Sequence, residues 1–540
     1  MILYIMQPDR DVFQYNALEI YFYVSSMYKG KETNIIFIPG ETYEIIEYMM
    51  NNDLTANFKI RNFNVDLLPI DNDLLSLEKG NCFKEIYVDK NLTSISELAN
   101  AFVKLETCFG KVKHKYIKGD HSKTFENLVL EKEKENNVKT TDEILGMIVL
   151  DRSVDFLTAF TTNYTFEGLI DDFFGINFGS IKIKESFIRD LGNRKQNADN
   201  LVKYSLTSYG NSFYSQIGCM HYLVANQYLS KISEYYVKLA SKDSSSLSDM
   251  PKDSSELRKF VLEIKQPLFA SKNIFYHIID NVFDSEYFKY IKNEQLLLAG
   301  KLPTNLHLYY EDYICDKKDL NKILKLMVIE SLTQGGIQNY NEIKRDILNI
   351  YGYQKIFLFR DLEHLGWLKE KAYIKNLMEI SYEHICKKLE LINENFNEKK
   401  IDDCSFTMSG FCPISLKIIE KGVEGKWNKI QDIIKKIPGE VSFPLDESEI
   451  SKPNKEVNTI FLVFIGGVTY TEIAGIRFLN RKFKEAFEKS TSKKPTRMQL
   501  IIITTGIISS KKLFNNLGKT FKNSYSMKQF YEQSQNLKKK

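Results

Sequence analysis

The sequence lacks any apolar run that approaches the roughly 20 residues needed to cross a membrane. The apolar start at residues 1–6 is too short for a signal peptide, and the charged residues Asp9 and Arg10 follow closely. We therefore expect the chain to meet membranes only indirectly, through partner proteins.

Paired cysteines and an excess of one charge are also missing. The seven cysteines are an odd number and include no C-x-x-C pair, which is typical of reduced thiols in a cytoplasmic protein. Lysine plus arginine (74) nearly balances aspartate plus glutamate (70), and the net charge is +4. This balance predicts no nucleic-acid partner, and we interpret the basic residues 538–540 as a solvated tail.

Common catalytic and metal-binding motifs do not occur in the sequence. The seven histidines form no H-x-x-H or H-E-x-x-H pattern, and there is no G-x-S-x-G. Gly466 and Gly467 stand between a predicted strand and helix but match neither phosphate-binding glycine motif. A tight turn explains this pair on backbone grounds alone. We predict no catalytic residue, no cofactor and no metal.

Strands and helices alternate in the first part of the chain. Runs that are apolar on both faces, separated by helical segments, favour a parallel α/β sheet. The predicted strands are residues 2–6, 34–38, 65–70 and 83–88, and the predicted helices are residues 12–28, 43–50 and 94–107. The charged segment at residues 131–141 is interpreted as a linker.

A second sheet is predicted from segments that lie far apart in the sequence. Residues 147–150 form one buried strand, and residues 459–465 and 499–504 form two more near the end of the chain. Because a single strand cannot form a sheet, we expect the three to pair. The mainly helical region between them is then an insertion in this second α/β domain.

Five carboxylates cluster after the strand at residues 147–150. One interpretation makes two of them an acid/base pair or Mg²⁺ ligands at a strand end. The interpretation we favour is that they cap helices and pair with Arg152. They are Asp151, Asp155, Glu167, Asp171 and Asp172.

Two apolar stripes at helical spacing flank Pro267, at residues 257–264 and 274–282. With Pro267 as a helix breaker, they predict a helical hairpin. Either both stripes pack on their own domain, or they form a surface that accepts an amphipathic partner helix. Spacing alone favours the first interpretation.

The carboxylate segment LDRSVDFLTAFTTNYTFEGLIDDFFGI, at residues 150–176, is similar to a signature of the Sec/Munc-type (SM) family. Further segments resemble its vacuolar protein sorting-associated protein 33 branch. They lie at residues 65–77, 324–368, 406–415, 463–474 and 501–505, in the same order as in that branch.

The resemblance implies an arch of three domains, α/β plus α. Domain 1 is α/β and spans residues 1–120; domain 2 is α/β and split over residues 121–212 and 457–540. Domain 3 is mainly helical, spans residues 213–456 and includes a hairpin at about 256–284. Two departures from the family are expected: its first strand is missing at the start of the chain, and the hairpin at residues 267–294 is shorter, which predicts weaker binding there.

The resemblance also implies a protein that is not an enzyme. Members bind SNARE helices, both syntaxin-like and R-type, and template their pairing on vacuolar, lysosomal or late endosomal membranes. This branch belongs to HOPS and CORVET tethering complexes through a protein sorting-associated protein 16-like subunit. The SNARE-binding candidates are Phe260, Ile264, Lys265, Leu268, Lys272 and Phe275, and the tether-binding candidates are Trp367, Tyr373 and Ile374.

Two alternatives stay open from the sequence. The first is an SM protein of another branch, acting at the Golgi or plasma membrane. The second is an enzyme of doubly wound fold that uses Asp151, Asp155 or the Gly466 turn on a phosphorylated ligand.

Overall fold

The computed structural model describes most of the chain, and the helix predicted at residues 12–28 lies outside the described part. The described residues are 2–6, 33–38, 40–41, 43–52, 58–63, 65–136, 138–139, 144–188, 200–240, 263–282, 285–371, 382–398, 401–443, 456–490 and 496–518.

The chain divides into two compact units, residues 1–68 and 69–540. The first holds a three-stranded parallel sheet of β1 (Ile2–Met6), β2 (Thr33–Phe37) and β3 (Lys59–Asn62), with helix α1 (Tyr43–Asn51). Ile35 and Phe37 of β2 are fully buried, as expected for the central strand of a parallel sheet. The predicted strands at 2–6 and 34–38 and the helix at 43–50 are thereby confirmed.

The second unit is organised by a seven-stranded sheet in the order β10–β6–β7–β11–β12–β5–β4. Its strands are β4 (Leu68–Asp71), β5 (Leu74–Ser76), β6 (His114–Lys118), β7 (Ile144–Asp151), β10 (Val441–Ser442), β11 (Val457–Ile465) and β12 (Arg497–Thr504). A separate two-stranded antiparallel sheet joins β8 (Ser180–Lys184) to β9 (Leu201–Ser205).

The pairing of distant segments at the centre of this sheet is confirmed. Val463 of β11 lies opposite Val149 of β7 on one side and Ile503 of β12 on the other, all in parallel register. These strands are apolar on both faces because helices cover both. Burying each such side chain stabilises the fold by about 1.5–3 kcal/mol.

Helices surround the sheet and fill the region between β9 and β10. Before β9 they are α2 (Cys82–Tyr87), α3 (Thr93–Phe109), α4 (Asp120–Glu135), α5 (Phe166–Phe173) and α6 (Glu185–Ile188). Between β9 and β10 they are α7 (Ser212–Ile217), α8 (Tyr222–Ala240), α9 (Lys265–Val282), α10 (Ser285–Leu298), α11 (Leu306–Cys315), α12 (Leu320–Gln334), α13 (Tyr340–Tyr351), α14 (Ile356–His364), α15 (Tyr382–Leu389), α16 (Ile414–Val423) and α17 (Trp427–Ile434). Two more, α18 (Tyr470–Glu488) and α19 (Ser510–Asn516), follow β11 and β12. A large helical region is therefore inserted in an α/β fold, as predicted.

Three predictions about the first 150 residues need correction or comment. The strand predicted at 83–88 is the helix α2, in which Phe83 and Ile86 are buried at helical spacing. The linker predicted at 131–141 starts inside α4, where Glu133 bonds Lys115 and stabilises the charged end of the helix. Strands β4, β5 and β6 lie in the large sheet, although they fall within the predicted domain 1; the domain boundaries stay a prediction.

Candidate functional site

Helix α9 carries most of the predicted SNARE-binding residues, and it begins at Lys265. Glu263 is helical and Ile264 forms a turn, so the helix break that we predicted at Pro267 lies just before α9, and Pro267 itself is in the first turn of α9. Proline is tolerated there because the first backbone N–H groups of a helix have no carbonyl partner within it. Phe260 and most of the first apolar stripe lie outside the described residues.

One face of α9 is buried against its own domain. It contacts α5, α6, α7 and α8, and the ring of Phe275 packs 5.7 Å from that of Phe166 in α5. Ile264, Leu268 and Phe275 are 4%, 4% and 3% exposed. The hydrophobic effect therefore holds these three side chains in the domain core in this structure, and their contact with a SNARE helix stays a prediction.

The opposite face of α9 presents basic and aromatic side chains to solvent. We name Lys265, Phe269, Lys272 and Tyr276 the α9 stripe. At 100° per residue, these four positions fall within a sector of about 60° and extend about 16 Å along the axis. Phe269 is 38% and Tyr276 43% exposed, so two large rings face water.

The two lysines of the α9 stripe rest against neighbouring aromatic and polar groups. Lys272 Nζ donates to Ser233 Oγ of α8 at 3.0 Å and lies 5.8 Å from the Tyr276 ring centroid. Lys265 Nζ lies 5.9 Å from the centroid of the Tyr236 ring, also in α8. Both positions suit weak cation–π contacts, which orient the ammonium groups while they stay accessible.

Of the four residues of the α9 stripe, we predicted the two lysines from the sequence and missed Phe269 and Tyr276. Lys265 and Lys272 are seven residues apart, and so are Phe269 and Tyr276. These two pairs, each spaced by seven residues, were the feature of the sequence from which the stripe could have been predicted. We instead took the apolar positions with the strongest helical period, and that period marks the core face of a helix more often than a binding face.

Trp367, predicted to bind a tether subunit, is also buried. Its ring lies 5.1 Å from that of Phe83, 5.3 Å from Phe156 and 4.8 Å from Phe160, and only 1% of the residue is exposed. It joins the helical region to α2 and to the segment that follows β7, and its contact with a tether subunit stays a prediction. Tyr373 and Ile374 lie outside the described residues.

The carboxylates near the end of β7 satisfy backbone groups. Asp151 accepts from the N–H of Ser153 at 2.8 Å and that of His121 at 3.0 Å. Asp155 accepts from Thr158 N–H at 3.0 Å, and Asp171 accepts from Ile176 N–H at 2.7 Å. This capping role is the one we favoured for these side chains.

Arg152 does not form its ion pair with those carboxylates; its partner is Glu472 of α18. Two parallel bonds of 2.7 and 2.8 Å join them, and Ser415 Oγ donates to Glu472 at 2.5 Å. Burial opposes the ionisation of Glu472, but the guanidinium of Arg152 outweighs it and holds the pKa of Glu472 below its usual value. The pair is therefore charged and fully buried.

Glu167 belongs to a second cluster, around Arg477. Arg477 bonds Asp71 and Asp73 at 2.9 Å and reaches Glu167 only at 3.4 Å. Burial raises the pKa of Glu167 to about 7, because Arg477 is shared among three carboxylates and compensates only in part.

The glycine turn after β11 is filled by the protein itself. A Cβ on Gly466 would come within 2.6 Å of the Tyr87 ring, and one on Gly467 within 2.5 Å of Ile508. Both residues have positive φ angles, so glycine is required for the backbone, as predicted. Thr469 and Glu472 form a capping box on the first turn of α18 and occupy the position a phosphate would need.

Neither a metal cluster nor a membrane-spanning helix occurs in the described part of the chain. In it, no three histidine, cysteine or acidic side chains are grouped so that they could hold a metal ion. Nor does any helix there combine the length and hydropathy required to cross a membrane.

Comparison with known proteins identifies relatives along most of the chain. The model of the Sec1 family matches residues 2–516. Vacuolar protein sorting-associated protein 33A of Rattus norvegicus is 28% identical over 473 residues, which cover 84% of this chain and 77% of the relative. The vacuolar protein-sorting-associated protein 33 homolog of Arabidopsis thaliana is 25% identical over 503 residues, covering 88% and 79%.

Solved structures show a related fold. The Unc18–syntaxin 1 complex from Monosiga brevicollis aligns over 96% of this chain and 87% of that one, with a TM-score of 0.56 at 12% identity. The SM protein Vps45, in complex with the Qa SNARE Tlg2, aligns over 95% and 85%, with a TM-score of 0.56 at 13% identity.

Proposed function

Because the chain belongs to the Sec1 family, we propose that it is an SM protein of vacuolar sorting that binds SNARE helices and holds them for pairing. The family match across residues 2–516 is the observation that carries this proposal. The relatives named for vacuolar sorting support the pathway, and the solved complexes with syntaxin 1 and a Qa SNARE support the class of partner.

The α9 stripe offers a physical basis for binding a SNARE helix. SNARE motifs repeat every seven residues, and the lysines and the rings of the stripe repeat at the same interval. Phe269 and Tyr276 would cover apolar positions of a bound helix, while Lys265 and Lys272 would face its acidic side chains.

Holding two such helices parallel would speed their assembly without any catalysed reaction. Free SNARE motifs are disordered, and the first helical turn costs conformational entropy before later turns compensate for it. A rigid helix face that orders one or two turns lowers that barrier. The proposed work of this protein is therefore binding rather than catalysis, and it needs no cofactor or metal.

We further propose that the chain acts within a HOPS- or CORVET-type tethering complex. A protein sorting-associated protein 16-like subunit would hold it on vacuolar, lysosomal or late endosomal membranes, with Tyr373 and Ile374 as the remaining candidate contacts. Mass spectrometry of proteins that co-purify with the chain tests this assembly. Recovery of SNAREs without any tether subunit would point to an SM protein that acts without a tether.

The SNARE proposal predicts the effect of reversing charges on the α9 stripe. Substituting both Lys265→Glu and Lys272→Glu should weaken the binding of purified SNARE motifs about tenfold, since reversing two partly exposed charges costs on the order of 1–2 kcal/mol. The midpoint of thermal unfolding should stay unchanged. Fluorescence anisotropy of a labelled SNARE motif measures the affinity.

A matched control lies on and just after α17. Lys429 and Lys436 are exposed and also seven residues apart, so Lys429→Glu with Lys436→Glu makes the same change in charge elsewhere. Equal loss of binding in both double variants would indicate a general electrostatic effect. Unaltered binding in the Lys265 and Lys272 variant would remove the stripe from the mechanism.

A further inference from the structure

A basic surface that the proposed function does not use lies on the two-stranded sheet of β8 and β9. Successive residues of a strand point to opposite faces, and residues paired across two strands point to the same face. Lys182, Lys184, Leu201 and Lys203 therefore share one face. All four residues are exposed, and we name them the ribbon face. None of the outward positions of these two strands carries an acidic residue.

Two lysines of the ribbon face lie directly opposite each other. Lys182 pairs with Lys203 across the antiparallel strands, where opposite Cβ atoms are about 4.5–5.5 Å apart. Like charges in this position destabilise a sheet. Neither of the two lysines forms an ion pair with a described residue. An anionic surface would therefore neutralise charges that the described part of the protein leaves uncompensated.

Large apolar side chains flank these lysines. Leu201, which lies opposite Lys184, is 66% exposed. Near the other end of the two strands, Phe178 before β8 is 48% exposed and Tyr209 after β9 is 65% exposed. Leucine and aromatic side chains beside lysines are typical of surfaces that lie in the headgroup region of a membrane. An acidic peptide would match the lysines but would leave these apolar side chains in water.

The opposite face fixes the two strands to the helices around α9. Ile183 points inward and is only 1% exposed. Tyr204 Oη accepts from Asn211 Nδ2 at 2.7 Å, and Asn211 caps α7, which packs on α9. Strand β8 leads directly into α6, where the carbonyl of Phe187 accepts from Asn273 of α9 at 3.1 Å. A contact made by the ribbon face would therefore hold α9 in a fixed position relative to the bound surface.

We propose that the ribbon face binds the anionic headgroup surface of a membrane directly. The three ammonium groups face the anionic headgroups, and Leu201 enters the boundary between headgroups and acyl chains. Lysine suits this contact because its compact charge on a flexible stem needs no fixed partner geometry. The contact is peripheral, and it adds to the indirect contact that we expected from the sequence. It does not depend on the binding of a SNARE helix by α9.

Sedimentation of the full-length protein with vesicles tests this contact. Vesicles of phosphatidylcholine with about 30% phosphatidylserine should bind the protein, and vesicles of pure phosphatidylcholine should not. Lys182→Glu with Lys203→Glu should weaken binding to the anionic vesicles about tenfold. The control variant, Lys429→Glu with Lys436→Glu, has the same net charge and should bind like wild type. Equal loss in both variants, or no loss in the ribbon variant, would overturn the proposal.

Two single substitutions separate the binding of vesicles from the folding of the two strands. Lys203→Glu places an opposite charge beside Lys182, so it should stabilise the pair of strands and still weaken vesicle binding. Leu201→Ser leaves the charge unchanged and should weaken binding about threefold, because an apolar contact with the acyl boundary is lost. Wild-type binding in the Lys203→Glu variant, at an unchanged or higher unfolding midpoint, would contradict the assignment of the ribbon face.

An oligoglutamate peptide distinguishes a membrane from an acidic protein partner. Saturable binding of the labelled peptide that is lost in the Lys182 and Lys203 variant, without any binding of vesicles, would assign the ribbon face to a protein partner and overturn the proposal. We expect vesicle binding without such peptide binding. The affinity of a SNARE motif should be the same in wild type and in this variant, so failure of this inference is distinguishable from failure of the proposed function.

Discussion

The carboxyl edge of the large sheet and the α9 stripe use charged side chains in opposite ways. At the sheet edge, Arg152 and Glu472 are buried, doubly bonded to each other and closed to solvent. On α9, Lys265 is open to water and Lys272 only partly covered. The comparison shows that the density of charged residues in a sequence is a poor guide to function. What distinguishes a binding surface is charge that the fold leaves available.

The same contrast applies to aromatic residues. Trp367 packs between the helical region, α2 and the segment after β7, whereas Phe269 and Tyr276 are about two-fifths exposed. The buried ring stabilises the fold by removing apolar area from water. The exposed rings contribute less to folding, because much of their apolar area stays in water.

Breaking the buried ion pair should have the largest effect on stability. Arg152→Met leaves the Glu472 carboxylate buried without its partner, which costs about 3–5 kcal/mol. We expect a clear fall in the midpoint of chemical unfolding, followed by circular dichroism. The double substitution Arg152→Met with Glu472→Met should lose less, since no unpaired charge remains.

A substitution in the α9 stripe is the control for the loss of stability expected in Arg152→Met. Lys272→Met removes a partly exposed charge of the same sign and should change the free energy of unfolding by less than about 0.5 kcal/mol. If Arg152→Met proved as stable as Lys272→Met, the sheet edge would not be the structural element described above.

Replacing Glu167 should change the free energy of unfolding less than replacing Arg152 does, and the change should depend on pH. The pKa of Glu167 is raised from 4.5 to about 7 in the folded protein, so between these values the folded chain holds a proton that the unfolded chain has lost. Stability from this group is therefore full below about pH 4.5 and falls as the pH rises through 7. Glu167→Gln removes this dependence and should stabilise the protein by on the order of 1–3 kcal/mol at about pH 8.

Unfolding midpoints of wild type and Glu167→Gln at about pH 5 and pH 8 measure this difference. The difference in unfolding midpoint between Glu167→Gln and wild type should be larger at pH 8 than at pH 5. A smaller difference at pH 8 would mean that the charge of Arg477 fully offsets the cost of burying the Glu167 carboxylate. The α9 stripe holds no carboxylate, so the Lys272→Met variant should follow wild type at both pH values.

Much of the fold could be predicted from local patterns. Strands β7, β11 and β12 are short runs that are apolar on both faces, which is typical of the buried strands of a parallel sheet. The family resemblance, read from motifs such as residues 150–176, is confirmed by the match over residues 2–516. The helix α2 was misread as a strand because a six-residue segment, apolar at positions 83 and 86–88, is too short for its period to distinguish a helix from a strand.

The site could be predicted only in part, for a physical reason. Helical spacing shows that Ile264, Leu268 and Phe275 share a face, but not whether their neighbour is the same chain or another. That choice depends on the packing of α5 to α8, which no local pattern contains. The partner of Arg152 was missed for a similar reason, since Glu472 lies 320 residues away.

Removing the exposed rings of the α9 stripe should change the stability of the protein least and should test the binding of a SNARE motif most directly. Phe269→Ser with Tyr276→Ser removes the exposed rings of the α9 stripe, and Leu92→Ser with Phe109→Ser removes two side chains of similar exposure on and beside α3. Isothermal titration of a SNARE motif into wild type and both double variants tests the central claim. The account predicts at least about tenfold weaker binding for the stripe variant alone, with unchanged unfolding midpoints. Wild-type affinity in the stripe variant, or equal loss in both, would contradict it.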